Sequence, residues 1–230
     1  MTNRINSKLN KLIKYYNFIN HSLVYDNKPI NRYKKNNKQL KLEKLSSSLK
    51  NIKNCELKKS ANNLVFADGN PDAKIMIIGE GPGSNEDKEG LPFVGRAGQL
   101  LDKMFLSIKL NREKVYITNV VNYRPPQNRR PTDKEIKRYY PYLVKHIEII
   151  NPKILVLLGS TALNTIIGDK EVISKARGKW TKLKIGDCNT NVISSFHPAF
   201  LMRQPEQKKY AWIDLKMIRS KISELKIKID

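Results

Sequence analysis

Four short apolar runs punctuate the chain, and each stops at a glycine or at polar residues. They are Ile75-Met76-Ile77-Ile78, Val115-Tyr116-Ile117, Ile154 to Leu158 and Val192-Ile193, the second and fourth within strands expected over Val115 to Thr118 and Val192 to Ser195. Runs of this length, apolar without alternation, predict strands buried on both faces. Between them the apolar positions take up helical spacing. Leu100, Leu101, Met104 and Phe105 mark one helix, and Thr132-x-x-Glu135 is a capping box opening another that runs to about Ile150. Gly159-Ser160 opens a third, and a basic amphipathic helix spans about Pro205 to Leu225. Strands separated by helices predict an α/β fold, a three-layer α/β/α sandwich around a mostly parallel sheet.

Upstream of these runs the pattern changes. Ile5, Leu9, Leu12, Ile13 and Tyr16 fall at helical spacing over residues 4 to 20, residues 26 to 39 read as a linker, and a second helix is expected from about Leu40 to Asn54. Residues 1 to 60 hold 15 Lys or Arg against 3 Asp or Glu. The chain therefore divides into a basic N-terminal extension and linker, 1–54, and a folded domain, 55–230. The extension reads equally as an arm attracted to phosphate and as a solvated tail.

Parallel strands deliver their carboxyl ends to one edge of the sheet, where open α/β sheets bind ligands. The first strand delivers Glu80, the second Asn119 and the fourth His197. The first strand also runs into Gly79-Glu80-Gly81-Pro82-Gly83, where glycine permits close approach of backbone to a ligand. This loop is not a cofactor-phosphate cradle. Ser84 stands where a dinucleotide fingerprint needs its last glycine, Pro82 removes an N–H donor, and no G-x-x-x-x-G-K-[ST] is present. A carboxylate, an amide and an imidazole beside Phe93, which lies between Pro92 and Gly95, make a site able to grip a flat polar ring. The aromatic would stack on its face, and the amide would read an edge carrying both donor and acceptor.

Charge narrows the class of partner. The 230 residues carry 44 Lys or Arg against 21 Asp or Glu, a formal charge of +23 with pI near 9.9. A field of that sign suits nucleic acid or an anionic surface, although A/T-rich coding would also enrich Lys, Asn and Ile. A mean hydropathy of −0.54 and the absence of any apolar run near the roughly 18 residues of a membrane span argue against membrane insertion. Two well-separated cysteines, Cys55 and Cys188, exclude a disulfide framework, and the amino terminus has no apolar signal core. Export is not expected; a reduced, cytoplasmic setting is.

Four blocks in order, GEGPGSNEDKEGLPFVGRAGQLLD (79–102), YITNVVNYRPPQNRRPT (116–132), NPKILVLLGSTAL (151–163) and SFHPAFLMR (195–203), resemble the family-four uracil-DNA glycosylases. The resemblance covers about residues 55 to 220. It implies a monomeric enzyme acting on uracil-containing DNA, which hydrolyses the N-glycosidic bond of a flipped uracil and so starts base excision repair. Glu80 would help position the attacking water, and Asn119 would read the Watson–Crick edge. His197 would hydrogen-bond O2 of the departing base. Gly79, Gly81, Pro82 and Gly83 would line base and sugar, and Phe93 would stack on the uracil. Leu201 or Met202 would fill the space the base leaves, with Arg203 near phosphate.

The family usually binds a 4Fe–4S cluster through four cysteines, and here the chain departs from it. Cys55 stands near one ligand position, Ile52 replaces another and Tyr139 a third. No cofactor is therefore expected, with Tyr139, Tyr140 and Ile154 packing the region instead. A non-catalytic DNA-binding module of the same fold is the alternative, associated with replication, since similar domains occur attached to phage-type DNA polymerases.

Overall fold

A computed structural model describes residues 37–168 and 171–228. The helix expected over residues 4 to 20 lies outside them. Six strands form one sheet: β1 (Asp68–Gly69), β2 (Ile75–Gly79), β3 (Tyr116–Asn119), β4 (Ile154–Leu158), β5 (Trp180–Ile185) and β6 (Cys188–Ser195), in the order β1-β3-β2-β4-β6-β5. The four inner strands are the four apolar runs, and they lie parallel. Every residue of β2, β3 and β4 is buried, as continuous apolar runs require when both sheet faces are covered.

Alternation along each strand divides the core. Met76, Ile78, Leu155 and Leu157 face one layer and Ile75, Ile77, Ile154 and Val156 the other. The first layer is built by α1 (Asn37–Lys50) and, after the short α2 (Glu56–Ser60), α3 (Ser84–Glu89) and α4 (Arg96–Leu106), by α5 (Asp133–Ile150). Leu42 and Leu49 of α1 join Tyr139, Leu143, Ile147 and Ile150 of α5 in that layer. The second layer pairs Leu101 and Phe105 of α4 with Leu215, Ile218 and Ile222 of the last helix. That helix is α9 (Lys208–Glu224), which follows α6 (Ser160–Ile166), α7 (Ile173–Ala176) and α8 (Pro198–Arg203). The architecture is the expected α/β/α sandwich.

The capping box of α5 forms as its sequence predicts. Thr132 Oγ1 accepts from the Glu135 amide at 3.3 Å and Glu135 Oε2 accepts from the Thr132 amide at 2.7 Å. Arg129 grips the same carboxylate with two bonds of 2.7 and 2.8 Å, and the Arg129 guanidinium is the main reason its pKa is held near 2. The hydrophobic pattern does not predict β1 or β5, both antiparallel edge strands. In β5 the exposed Lys182 and Lys184 hide the run, although the two-residue Gly186-Asp187 link to β6 is a hairpin signal.

Register decides where the chemistry sits. Gly79 pairs with Asn119 and Leu158 with Ser195, so the strands end level at one edge of the sheet.

Candidate active site

Beyond that edge Glu80, Gly81, Pro82, Gly83, Phe93, Asn119 and His197 line a single cavity of about 180 Å³. Larger clefts lie elsewhere, among them an 890 Å³ groove between α1 and α5. The small cavity is below the roughly 300 Å³ at which pockets for drug-sized ligands begin; its scale is that of one ring. The structure thus brings together the strand-end residues and the loop aromatic that the sequence singles out.

Each wall has a structural cause. A Cβ on Gly79 would lie 2.5 Å from both the Asn119 Oδ1 and the Phe93 ring, so only glycine lets those two side chains meet over the end of β2. Phe93 itself adopts φ +56°, a region costly for an aromatic residue. Two contacts hold it there. Arg112 donates to the Phe93 carbonyl, to the Pro92 carbonyl at 3.1 Å, to Asp68 at 2.5 Å and to Asp102 at 3.0 Å. Gly98 lets α4 close on the same Phe93 carbonyl, where a Cβ would stand 1.7 Å away. Glu86 ties the two loops together, accepting from the Gly83 amide at 3.1 Å and the Gly95 amide at 2.8 Å.

Asn119 is 3% exposed, and its side-chain amide makes no hydrogen bond to any of the described residues. A buried amide normally finds partners; this one keeps a donor and an acceptor turned to the cavity. His197 differs, because its Nδ1 accepts from the Ala199 amide at 3.2 Å as the N-cap of α8. An accepting Nδ1 leaves the proton on Nε2. Burial, with Arg203 adding to it, lowers the His197 pKa to about 4, so the ring is a neutral N–H donor at physiological pH. It stacks at 5.6 Å from Phe93.

The strand that carries His197 is braced from below. Ser195 donates to Asp214 at 2.7 Å, and Arg177 binds the same carboxylate through two nitrogens, one at 2.9 Å. Asp214 has no exposure at all, and the Arg177 guanidinium also lies over Phe196 and Tyr210. Sequence reading missed this pair, whose members stand 37 residues apart.

The two residues of α8 expected to fill the vacated space are separated by the structure. Leu201 is buried with Phe196 and Ala211, Met202 is half-buried, and Arg203 is exposed.

Two of the three histidines are held uncharged by the fold. Besides His197, burial lowers His146 to about 3, where its ring stacks on Phe66 and its Nε2 lies 2.7 Å from the Tyr116 hydroxyl. Unfolded, both titrate near 6.5. As pH falls below about 6.5 the unfolded chain binds protons that the folded chain refuses, so stability present above that value is lost on the way to the folded pKa values. Each histidine contributes about 1.4 kcal/mol per pH unit. Urea unfolding is expected to show stability falling by up to about 3 kcal/mol per unit from pH 6 to 4.5. A stability level across that range would remove both assignments.

The match to known proteins follows this geometry. The model of the Uracil DNA glycosylase superfamily covers residues 66–216. The type-4 uracil-DNA glycosylase of Thermotoga maritima is 44% identical over 166 residues, which span 70% of this chain and 83% of that protein. The chain belongs to the type-4 uracil-DNA glycosylase family. Another relative, the type-4 uracil-DNA glycosylase of Sulfurisphaera tokodaii, is 43% identical over 183 residues, 77% of this chain and 83% of its own. A DNA polymerase of Bacillus phage SP01 is 30% identical over 153 residues, 66% of this chain but only 16% of that protein.

Membership of the type-4 family implies a 4Fe–4S cluster, and the residues present do not fit one. Cys55 is buried with its Sγ 3.2 Å from the Tyr139 hydroxyl. Ile52 and Tyr123 pack into the same cluster, Tyr123 donating to the Leu49 carbonyl at 3.4 Å. Aliphatic and phenol groups offer no thiolates for iron. Cys188 begins β6 and faces the Pro152 carbonyl instead. Among the described residues no group of three or more His, Cys, Asp or Glu could hold a metal ion. The packing is also not the one expected. Tyr139 fills its place, but Tyr140 is 40% exposed and Ile154 belongs to the opposite face of the sheet.

Proposed function

We propose that this chain removes uracil from DNA, taking a flipped base into the cavity and hydrolysing its bond to the sugar. The observation that carries the reading is the buried Asn119 amide, without a partner among the described residues, set in a ring-sized cavity that Phe93 and His197 also line. A donor and an acceptor side by side complement the N3–H and O4 of uracil. Bases in a duplex must leave the stack to be reached at the sugar carbon, at a cost of a few kcal/mol, and phosphate contacts of a +23 chain offset that cost.

The bond between C1′ and N1 breaks with its electron pair leaving on the base. His197 donates to O2 as that negative charge develops. Glu80 orients the water whose oxygen bonds C1′, and the water's proton ends on the departing uracil. Met202, the more accessible of the two α8 candidates, enters the stack, with Arg203 on phosphate. The test is a uracil-containing oligonucleotide incubated with the protein and then cleaved at abasic sites by alkali. Strand cleavage at the uracil is expected; intact strands at every salt concentration would favour the DNA-binding module instead.

The enzyme works without an iron–sulfur cluster, as a monomer in a reducing cytoplasmic compartment that suits its two buried free thiols. Because the Cys55–Tyr139 region is packed by side chains, a strong chelator is expected to leave the melting temperature unchanged. The protein should carry no iron and no visible absorption. Iron bound in stoichiometric amount after anaerobic purification would overturn this.

A further inference from the structure

The carboxylate assigned to the attacking water is not free to swing. Thr161, the second residue of α6, is 4% exposed, and its hydroxyl lies in hydrogen-bond contact with Glu80 Oε2. Behind it, Arg130 Nη2 donates to Thr161 Oγ1 at 3.0 Å and to Ser160 Oγ at 2.8 Å. Arg130 Nε stands 3.6 Å from Glu80 Oε2. A guanidinium can only donate. Thr161 Oγ1 therefore accepts from Arg130, and its single proton is committed to Glu80.

The other carboxylate oxygen, Oε1, has no hydrogen-bond partner among the described residues, while Glu80 lines the cavity with Phe93, Asn119 and His197. One oxygen is anchored and one is available.

We propose that Thr161 is a positioning residue for the reaction, with Arg130 supporting it. This rests on the reading of Glu80 as the group that orients water. Thr161 holds Oε2 so that Oε1 presents its lone pairs to a water beside C1′. The anchor matters because displacing a reacting group by about an ångström can cost a hundredfold in rate. Arg130 contributes less, since its side chain is 66% exposed and exposed ion pairs are weak.

Single-turnover excision at saturating DNA, alongside DNA affinity by fluorescence anisotropy, tests this with four single substitutions and two pairs of them. Thr161→Val keeps the shape and removes the donor. It is expected to slow excision about 10- to 100-fold, the scale of a hydrogen bond to a charged group. DNA affinity should stay within about twofold, and Thr161→Ser should restore most of the rate. In a Glu80→Gln background, Thr161→Val should add less than about a twofold loss, because the two act as a unit. Arg130→Ala, at an exposed position, should slow the wild type by a few-fold and the Thr161→Val variant not at all.

Thr161→Val at wild-type speed, or a loss that multiplies independently with that of Glu80→Gln, would overturn the proposal while leaving Glu80 in its role. Wild-type speed in Glu80→Gln would instead remove Glu80 from the mechanism, and the positioning proposal with it.

Discussion

Replacing His197 with alanine is expected to slow uracil excision about 10²- to 10³-fold at saturating DNA, with DNA affinity nearly unchanged. The magnitude is that of one preorganised donor aimed at a developing oxyanion, roughly 3 kcal/mol. Three features of the site argue for a full effect. Nδ1 is occupied by the Ala199 amide, so the ring cannot rotate its donor away from the cavity. Burial holds the pKa near 4, so the donor is the same neutral species throughout the physiological range. The ring also stacks against Phe93, which is itself locked by Arg112. The rate should therefore show no histidine titration between about pH 6 and 8. Single-turnover rates of His197→Ala equal to wild type would take His197 out of the reaction. A loss confined to binding would move it to substrate capture.

Arg177→Ala is expected to cost about 3–5 kcal/mol of stability, because it leaves the Asp214 carboxylate charged and without its counter-ion inside the protein. Asp214 is fully buried, and burial alone pushes its pKa up against the opposing pull of Arg177 and Ser195. For a domain of this size such a loss lowers the melting temperature by very roughly 6–20 °C. Replacing both members, with Arg177→Met and Asp214→Leu together, should recover much of the loss, since removing a whole buried pair is often close to neutral. Ser195 hangs on the same carboxylate two residues before His197, so the single variant should also lose activity below its melting temperature. Melting within a few degrees of wild type in Arg177→Ala would mean that water reaches Asp214.

How far the sequence carries depends on the range of the interaction. The inner strands β2 and β4 are legible because burial on both faces imposes an unbroken apolar run, and β3 and β6 because each carries a shorter apolar stretch between helical segments. Glu80, Asn119 and His197 are legible because parallel topology forces strand ends to one edge. The capping box of α5 is local and so can be read directly. What escapes is pairing across the chain. Nothing near Arg130 in the sequence announces Thr161, and nothing near Arg177 announces Asp214. Leu201 shows the other limit. Beside Met202 in an apolar helix it stands in the sequence as a candidate to fill the vacated space, and only the structure shows it packed with Phe196 and Ala211.

The Arg112 clamp has a consequence for the order of events on DNA. With the Phe93 backbone held by Arg112 and by the Gly98 contact before any base arrives, its aromatic face has little freedom to lose when one lands. The waiting partner in the encounter is then the nucleic acid. Capture is then expected to be paced by how often a base pair opens, so that a uracil in a wobble mispair, next to a nick or in a frayed end should reach the cavity sooner than one held in a stable A·U pair. Selectivity among sites should thereby follow the looseness of the helix around each lesion.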